Sequence, residues 1–356
     1  VYSALAQAGR RRMTGLIGYY VHHQGEGHYQ RASKIAAVAP KRFVLLGTGL
    51  TGRAQGLCEV PLEDDRRTGD AGFAGDDGVE DRPQALHYAP YGVAGLRRRV
   101  AAMAAWIAEA EPALMVVDVS VEAAMLARLS STPVVYVRLS GDRRDPAHLD
   151  AFRGAKALMA PWHKALEPTS APSWIRDKTR YVAPEARAAP AAAPQTVLVV
   201  HGRGGRPLDG AALAASAAAT PAYRWTCVGP VDDLDRAPPN LTHLGWVDDV
   251  AAEVDRHSII VGGAGDGLVN TVLEAGRAFV CVPEARAYAE QADKAARLAH
   301  LQAAIVSTHW PEPSAWADLL FAAETLPTAG RRRLLGDGYA GAGRWLLDCA
   351  EGRWSN

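Results

Sequence analysis

Ile259-Ile260-Val261-Gly262-Gly263-Ala264-Gly265-Asp266-Gly267-Leu268-Val269-Asn270-Thr271-Val272-Leu273-Glu274-Ala275 decides the fold. An apolar run enters a glycine-rich turn, and the spacing then predicts a helix over 269–275. Strand, glycine turn and helix together make the repeating unit of a parallel sheet. Working outward, 279–282 reads as the next strand and 289–301 as the next helix. Upstream, 197–200 is a strand, 201–205 a turn, 208–219 a helix, and 224–228 and 258–261 are strands. The same rhythm fills the front half. Strands are predicted at 16–21, 43–46, 114–117 (ending at Asp118) and 134–137, and helices at 31–38, 94–110 and 121–129. Between the halves, 183–195 carries three prolines among alanines and reads as a semi-stiff linker.

The chain has 356 residues, enough for two domains of about 150 residues each. The expected organisation is an α/β protein with two tandem Rossmann-like, doubly wound domains and a cleft between them. The first spans 13–182 and the second 196–330, and 331–356 forms a helical segment that packs back on the first. Residues 1–12 read as an upstream extension, and 63–82, acidic and glycine-rich, as a long mobile loop. Lys plus Arg and Asp plus Glu are each 39, so the net charge is zero and no general grip on nucleic acid is expected. The four cysteines form no CxxC pair, and Cys227 and Cys281 lie in apolar runs as core thiols. No apolar stretch approaches the ~20 residues of a membrane span, and a cytoplasmic location is expected.

The glycine turn supplies backbone N–H groups at the positive end of a helix dipole, which suits a phosphate. Gly263, Ala264, Gly265, Asp266 and Gly267 are the candidates, with Asn270 following in the helix. Glu274 is placed to accept two ribose hydroxyls, and Glu290 with Gln291 at the head of the following helix suits hexose hydroxyls. Trp246 and Val247 follow a strand end whose backbone suits a base edge. Gly202 and Arg203, next to His201, offer an arginine to offset diphosphate charge. In the front half, Gly25, Gly27 and His28 follow the first strand together with His22 and His23. His28 at a helix start suits a general base, and Asp118 and Asp142, near strand ends, suit its orienting acid or the base itself. The three histidines lack the carboxylate spacing of a metal cluster, and no metal is expected.

Taken in order, Gly-Trp-Val, Gly-Gly-x-Gly, Asn-Thr-Val-x-Glu-Ala, Val-Pro and Glu-Gln over roughly 195–305 resemble the donor half of GT-B glycosyltransferases of the MurG-like type. Gly27-His28 resembles the end of that family's first-strand loop, with His22 and His23 standing at earlier glycine positions. The resemblance implies an inverting, metal-independent transfer of a sugar from a nucleotide-diphosphate donor, UDP-linked, to a hydroxyl acceptor, with no cofactor besides the donor. His28, Asp118 and Asp142 would act on the acceptor, and His23, Gly25 and Gly27 would line its loop. A UDP-sugar epimerase or hydrolase, or a non-catalytic nucleotide-sugar-binding helper, suits the same architecture.

Two further motifs are read as structural. Gly47-Thr48-Gly49-Leu50-Thr51-Gly52 fits G-x-G-x-x-G, but it follows the second strand and lacks a good helix start, so it is expected to be a loop rather than a dinucleotide site. Leu96-Arg97-Arg98-Arg99 begins a helix containing Trp106. It is expected to be a solvated basic end, with peripheral membrane contact as the alternative.

Overall fold

The computed structural model describes residues 15–23, 26–53, 56–66, 84–202 and 207–354. The predicted extension 1–12, Gly25, Arg203 and most of the predicted loop 63–82 lie outside them. Among the described residues no helix is long and apolar enough to cross a membrane.

The first sheet contains β1 (Ile17–Tyr20), β2 (Phe43–Gly47), β3 (Cys58–Pro61), β4 (Leu114–Asp118), β5 (Val134–Val137), β6 (Ala157–Ala160) and β7 (Thr179–Tyr181). Their spatial order is β3-β2-β1-β4-β5-β6-β7, and every pairing is parallel. The accompanying helices are α1 (Glu26–Ala36), α2 (Ala94–Ala110), α3 (Val121–Leu129), α4 (Pro146–Gly154) and the short α5 (Ser173–Asp177). The second sheet contains β8 (Ala193–Val200), β10 (Arg224–Val228), β12 (Leu241–Gly245), β13 (His257–Gly262), β14 (Ala278–Cys281) and β15 (Ile305–Val306). It is also parallel, in the order β12-β10-β8-β13-β14-β15. A separate pair is formed by β9 (Leu208–Asp209) and β11 (Val231–Asp232). Its helices are α6 (Gly210–Ala219), α7 (Val250–Arg256), α8 (Asp266–Ala275), α9 (Glu290–His300), α10 (Trp316–Thr325) and α11 (Ala329–Arg332), and α12 (Gly338–Ala350) closes the described chain.

Parallel strands carry helices on both faces, so both faces must be apolar. In β1, Ile17 and Tyr19 enter one core cluster and Tyr20 the other. Between them, Gly18 is required where α2 approaches, because a Cβ there would stand 2.7 Å from the Trp106 ring and 2.2 Å from Met115 Sδ. The Pro/Ala-rich stretch ends by pairing with the second sheet, since β8 begins at Ala193. The last helix does not stay with the second sheet. Ala342, Trp345, Leu346 and Cys349 join Ile35 and Phe43 in a core of the first.

Several boundaries differ from expectation. α1 begins at Glu26 and α8 at Asp266, earlier than their apolar periodicity alone indicates. The short strands β3, β6 and β7 were not expected, having only three or four residues each. The segment 48–53 forms turns, with Gly49 and Gly52 at positive φ, and among the described residues from there to β3 there is no helix. The basic start of α2 is only partly solvated. Arg99 is buried, donating to Tyr20 Oη at 2.6 Å and, from Nη2, to Glu63 O at 2.7 Å, while Arg98 pairs with Glu63 at the surface.

The junction of α12 with α1 is close-packed. A Cβ on Gly343 would stand 2.6 Å from the Ile35 carbonyl oxygen and from Val38 Cγ2. Gly343→Val should therefore destabilise the fold by about 1–3 kcal/mol through overpacking, seen as a lowered thermal midpoint in a circular-dichroism melt.

Candidate active site

In a doubly wound sheet the ligand side lies beyond the carboxyl ends of the strands. β1 and β4 are neighbours, and their ends bring the loop 21–23, α1 and Asp118 together. Asp118 has no exposure to solvent. His28 Nδ1 lies 3.0 Å from Asp118 Oδ1, and Arg31 Nη2 donates to both Asp118 oxygens at 2.8 Å. Three residues separate His28 from Arg31 on α1, so both side chains fall on one helical face. Burial pushes the Asp118 carboxyl up, but Arg31 and His28 more than offset this and hold it at about 2. An ionised carboxylate only accepts hydrogen bonds, so the His28 Nδ1 that faces it bears a proton. Arg31 Nη2 is also 2.9 Å from His28 Nδ1, which makes two donors converging on one carboxylate.

His22 completes a histidine row. Its ring centroid is 5.2 Å from those of His23 and His28. Burial, and then its two histidine neighbours, lower its pKa well below the ordinary 6.5, so it stays neutral. His23 Nε2 is 3.4 Å from Asp65 Oδ1. His23, Asp64 and Asp65 offer possible ligand atoms within 4.8 Å of one another, a grouping the sequence did not indicate. Arginines already attend both acids, Arg66 on Asp64 and Arg99 on Asp65. Gly27 lies in the first turn of α1 with open space where a Cβ would be.

On the second sheet, β13 runs into Gly263, Ala264 and Gly265, and α8 begins at Asp266. Among the described residues no side chain caps this helix, and neither Gly265 nor Gly267 has a neighbour where a Cβ would stand. The first N–H groups of α8 have no partner within the helix and stand at the positive end of its dipole. Asp266 does not oppose this, because it pairs with the buried Lys294. The other side of the turn is occupied. Gln291 Oε1 accepts from Ala264 N and Glu284 N, both at 2.9 Å, and a Cβ on Gly263 would stand 2.5 Å from it.

Several predicted site residues make contacts within the protein itself. Gln291 is buried on the glycine turn, and Gly263 and Ala264 face that side chain rather than an open site. Glu274 sits in the last turn of α8, roughly 12 Å along the axis from its start. Asn270 is buried and donates to Pro161 O at 3.0 Å and to Tyr339 Oη at 3.4 Å, tying α8 to the first half and to α12. Asp142 does not join His28. It pairs with Arg144, and its N–H donates to Tyr288 O at 2.7 Å. Glu290 faces Arg143, with 3.5 Å between Oε2 and Nη2. Burial, and then Asp266, raise its pKa against the pull of Lys294, Arg143 and Arg286. Trp246 is about half exposed, and Val247 packs against the second core. Gly202 meets open space, and the His201 N–H donates to Val228 O at 3.0 Å. Cys227 and Cys281 are buried thiols.

The two halves touch directly beside the cleft. Tyr288 and Ala289 both adopt left-handed backbone, and the Tyr288 ring stacks on Arg143 at 4.4 Å. Gly141 is needed at this contact, since a Cβ there would lie 2.4 Å from Tyr288 O. Arg31, Lys294, Arg143 and Tyr339 were missed at the sequence level. The first was hidden by the late helix start, the second by reading only the head of α9, and the last two because their contacts are long-range.

Two parallel, doubly wound sheets joined in this way, with strand-end side chains turned to a shared cleft, define the GT-B architecture of glycosyltransferases. This chain has that fold. It is similar to CalG4, the calicheamicin glycosyltransferase, with a TM-score of 0.69 and 16% identity, covering 97% of this chain and 100% of that one. It is similar to MurG of Acinetobacter baumannii, with a TM-score of 0.62 and 17% identity, covering 95% and 99%. It is also similar to the glycosyltransferase VinC, solved in complex with dTDP, with a TM-score of 0.64 and 17% identity, covering 94% and 99%. No family model matches the chain, and no curated protein matches it by sequence.

Removing the Asp118 charge would leave Arg31 buried without its partner. Asp118→Asn should cost about 3–5 kcal/mol at neutral pH. A carboxyl whose folded pKa is depressed adds stability above its unfolded value, and this is lost as pH falls through the folded one. The gap to wild type in urea unfolding should therefore close as pH falls from the ordinary 3.8 towards about 2.

Proposed function

We propose that the chain is an inverting glycosyltransferase that moves a sugar from a nucleotide-diphosphate donor, UDP-linked, to an acceptor hydroxyl without a metal ion at the diphosphate. The observation that carries this reading is the pairing of His28 with Asp118 at the strand ends of one sheet, together with an uncapped α8 mouth at the strand ends of the other. The donor diphosphate would sit on the first N–H groups of α8, with Gly265 and Gly267 leaving room for close approach. The acceptor would lie against His28. Nε2 removes the hydroxyl proton as the oxygen attacks the anomeric carbon from the face opposite the leaving group. Asp118 stabilises the imidazolium that results. Charge gathering on the departing diphosphate meets fixed amide dipoles, which need not reorganise during the step.

Both uridine and thymidine diphosphates are tested, since VinC was solved with dTDP. Calorimetry should show UDP binding to the wild type, and His28→Ala should bind it with unchanged affinity. With a panel of UDP-sugars and hydroxyl acceptors, His28→Ala should lower nucleotide release by about 10²–10⁴-fold. No binding of either nucleotide would refute the reading. Free sugar or epimer formed without acceptor, at a rate that His28→Ala leaves unchanged, would replace transfer by hydrolysis or epimerisation.

A further inference from the structure

Both crossings of the chain between its halves run through one place. Gly336 N–H donates to Pro184 O at 2.8 Å and Gly338 N–H to Ala183 O at 3.0 Å, so the outgoing and returning segments lie side by side. Beside them is a groove of about 650 Å³ walled by His163, Lys164, Arg176, Arg180, Asp177 and Asp337. That volume falls within the range of small-molecule sites, about 300–1,000 Å³.

The polar lining is biased towards donors. Lys164 and Arg176 make no side-chain hydrogen bond or ion pair among the described residues. Arg180 is held by Asp337 at 2.7 Å. His163 Nδ1 accepts the Ala165 N–H at 3.1 Å, which makes Nε2 the protonated nitrogen and a further donor. Three permanent cations, Lys164, Arg176 and Arg180, thus outnumber the two carboxylates, Asp177 and Asp337, in the lining. Like charges gathered in one concavity repel each other, and the field they focus there is relieved by an anion. Several divergent N–H donors around an open volume suit a group with many acceptor oxygens rather than a single carboxylate.

We propose that this groove binds a small, soluble, phosphate-bearing anion at the crossing of the two halves. The site is separate from the α8 mouth, and the inference does not rest on glycosyl transfer. The probe is inorganic pyrophosphate, titrated calorimetrically into the full chain with excess UDP present to compete at α8. One binding event is expected. Lys164→Ala combined with Arg176→Ala should weaken it by about tenfold or more, while the melting temperature stays within about 2 °C of wild type. Absence of a binding event, or an isotherm that the double variant leaves unchanged, would overturn the proposal.

Discussion

Asp118 is a charged carboxylate sealed from water, and the arrangement of the first half follows from keeping it charged. An isolated buried carboxylate is strongly disfavoured, so it needs a cation and further donors at hydrogen-bonding distance. α1 supplies both from one face, through Arg31 and His28. This fixes the rotation of the helix about its axis and the depth at which it docks. It also places the loop that joins β1 to α1, and with it the histidine row. The same contact that stabilises the fold thus orients the His28 imidazole at the strand ends.

The second half solves a related problem differently. An acid in the first turn of α8 would repel a phosphate at the mouth, yet Asp266 is drawn off by Lys294 from the neighbouring helix. Gln291 takes two of the backbone amides around the turn, leaving the helix mouth rather than the whole glycine loop as the anion-receptive surface. That leaves fewer free amides around the glycine turn than its sequence suggests.

The alternation of apolar strands with helical runs made the two-sheet plan legible, because parallel strands buried on both faces leave an unbroken hydrophobic signature. The His28–Asp118 pairing was legible for the same reason, since both residues follow strands that become neighbours. What sequence spacing hid were the starts of helices. Reading α8 as beginning at 269 put Glu274 near the mouth, whereas the helix begins at Asp266 and carries Glu274 to its far end. Polar and glycine residues opening a helix give no apolar period, so the first turn was invisible. Reading 31–38 as helical concealed Arg31 as the partner of His28 in the same way. Asn270 and Asp142 misled for another reason. Both satisfy contacts between the halves, with Pro161 and Tyr288, which local pattern cannot reveal.

The return of α12 to the first sheet bears on synthesis. Trp345 and Leu346 fill space against residues near Ile35 and Phe43, so the amino-terminal unit has an open flank on the ribosome until the chain has been extended through residue 350. Domains commonly fold in order as they emerge. Here the earlier of the two units is sealed only by the helix that follows the later one, and apolar surface around α1 stays exposed throughout translation of the second.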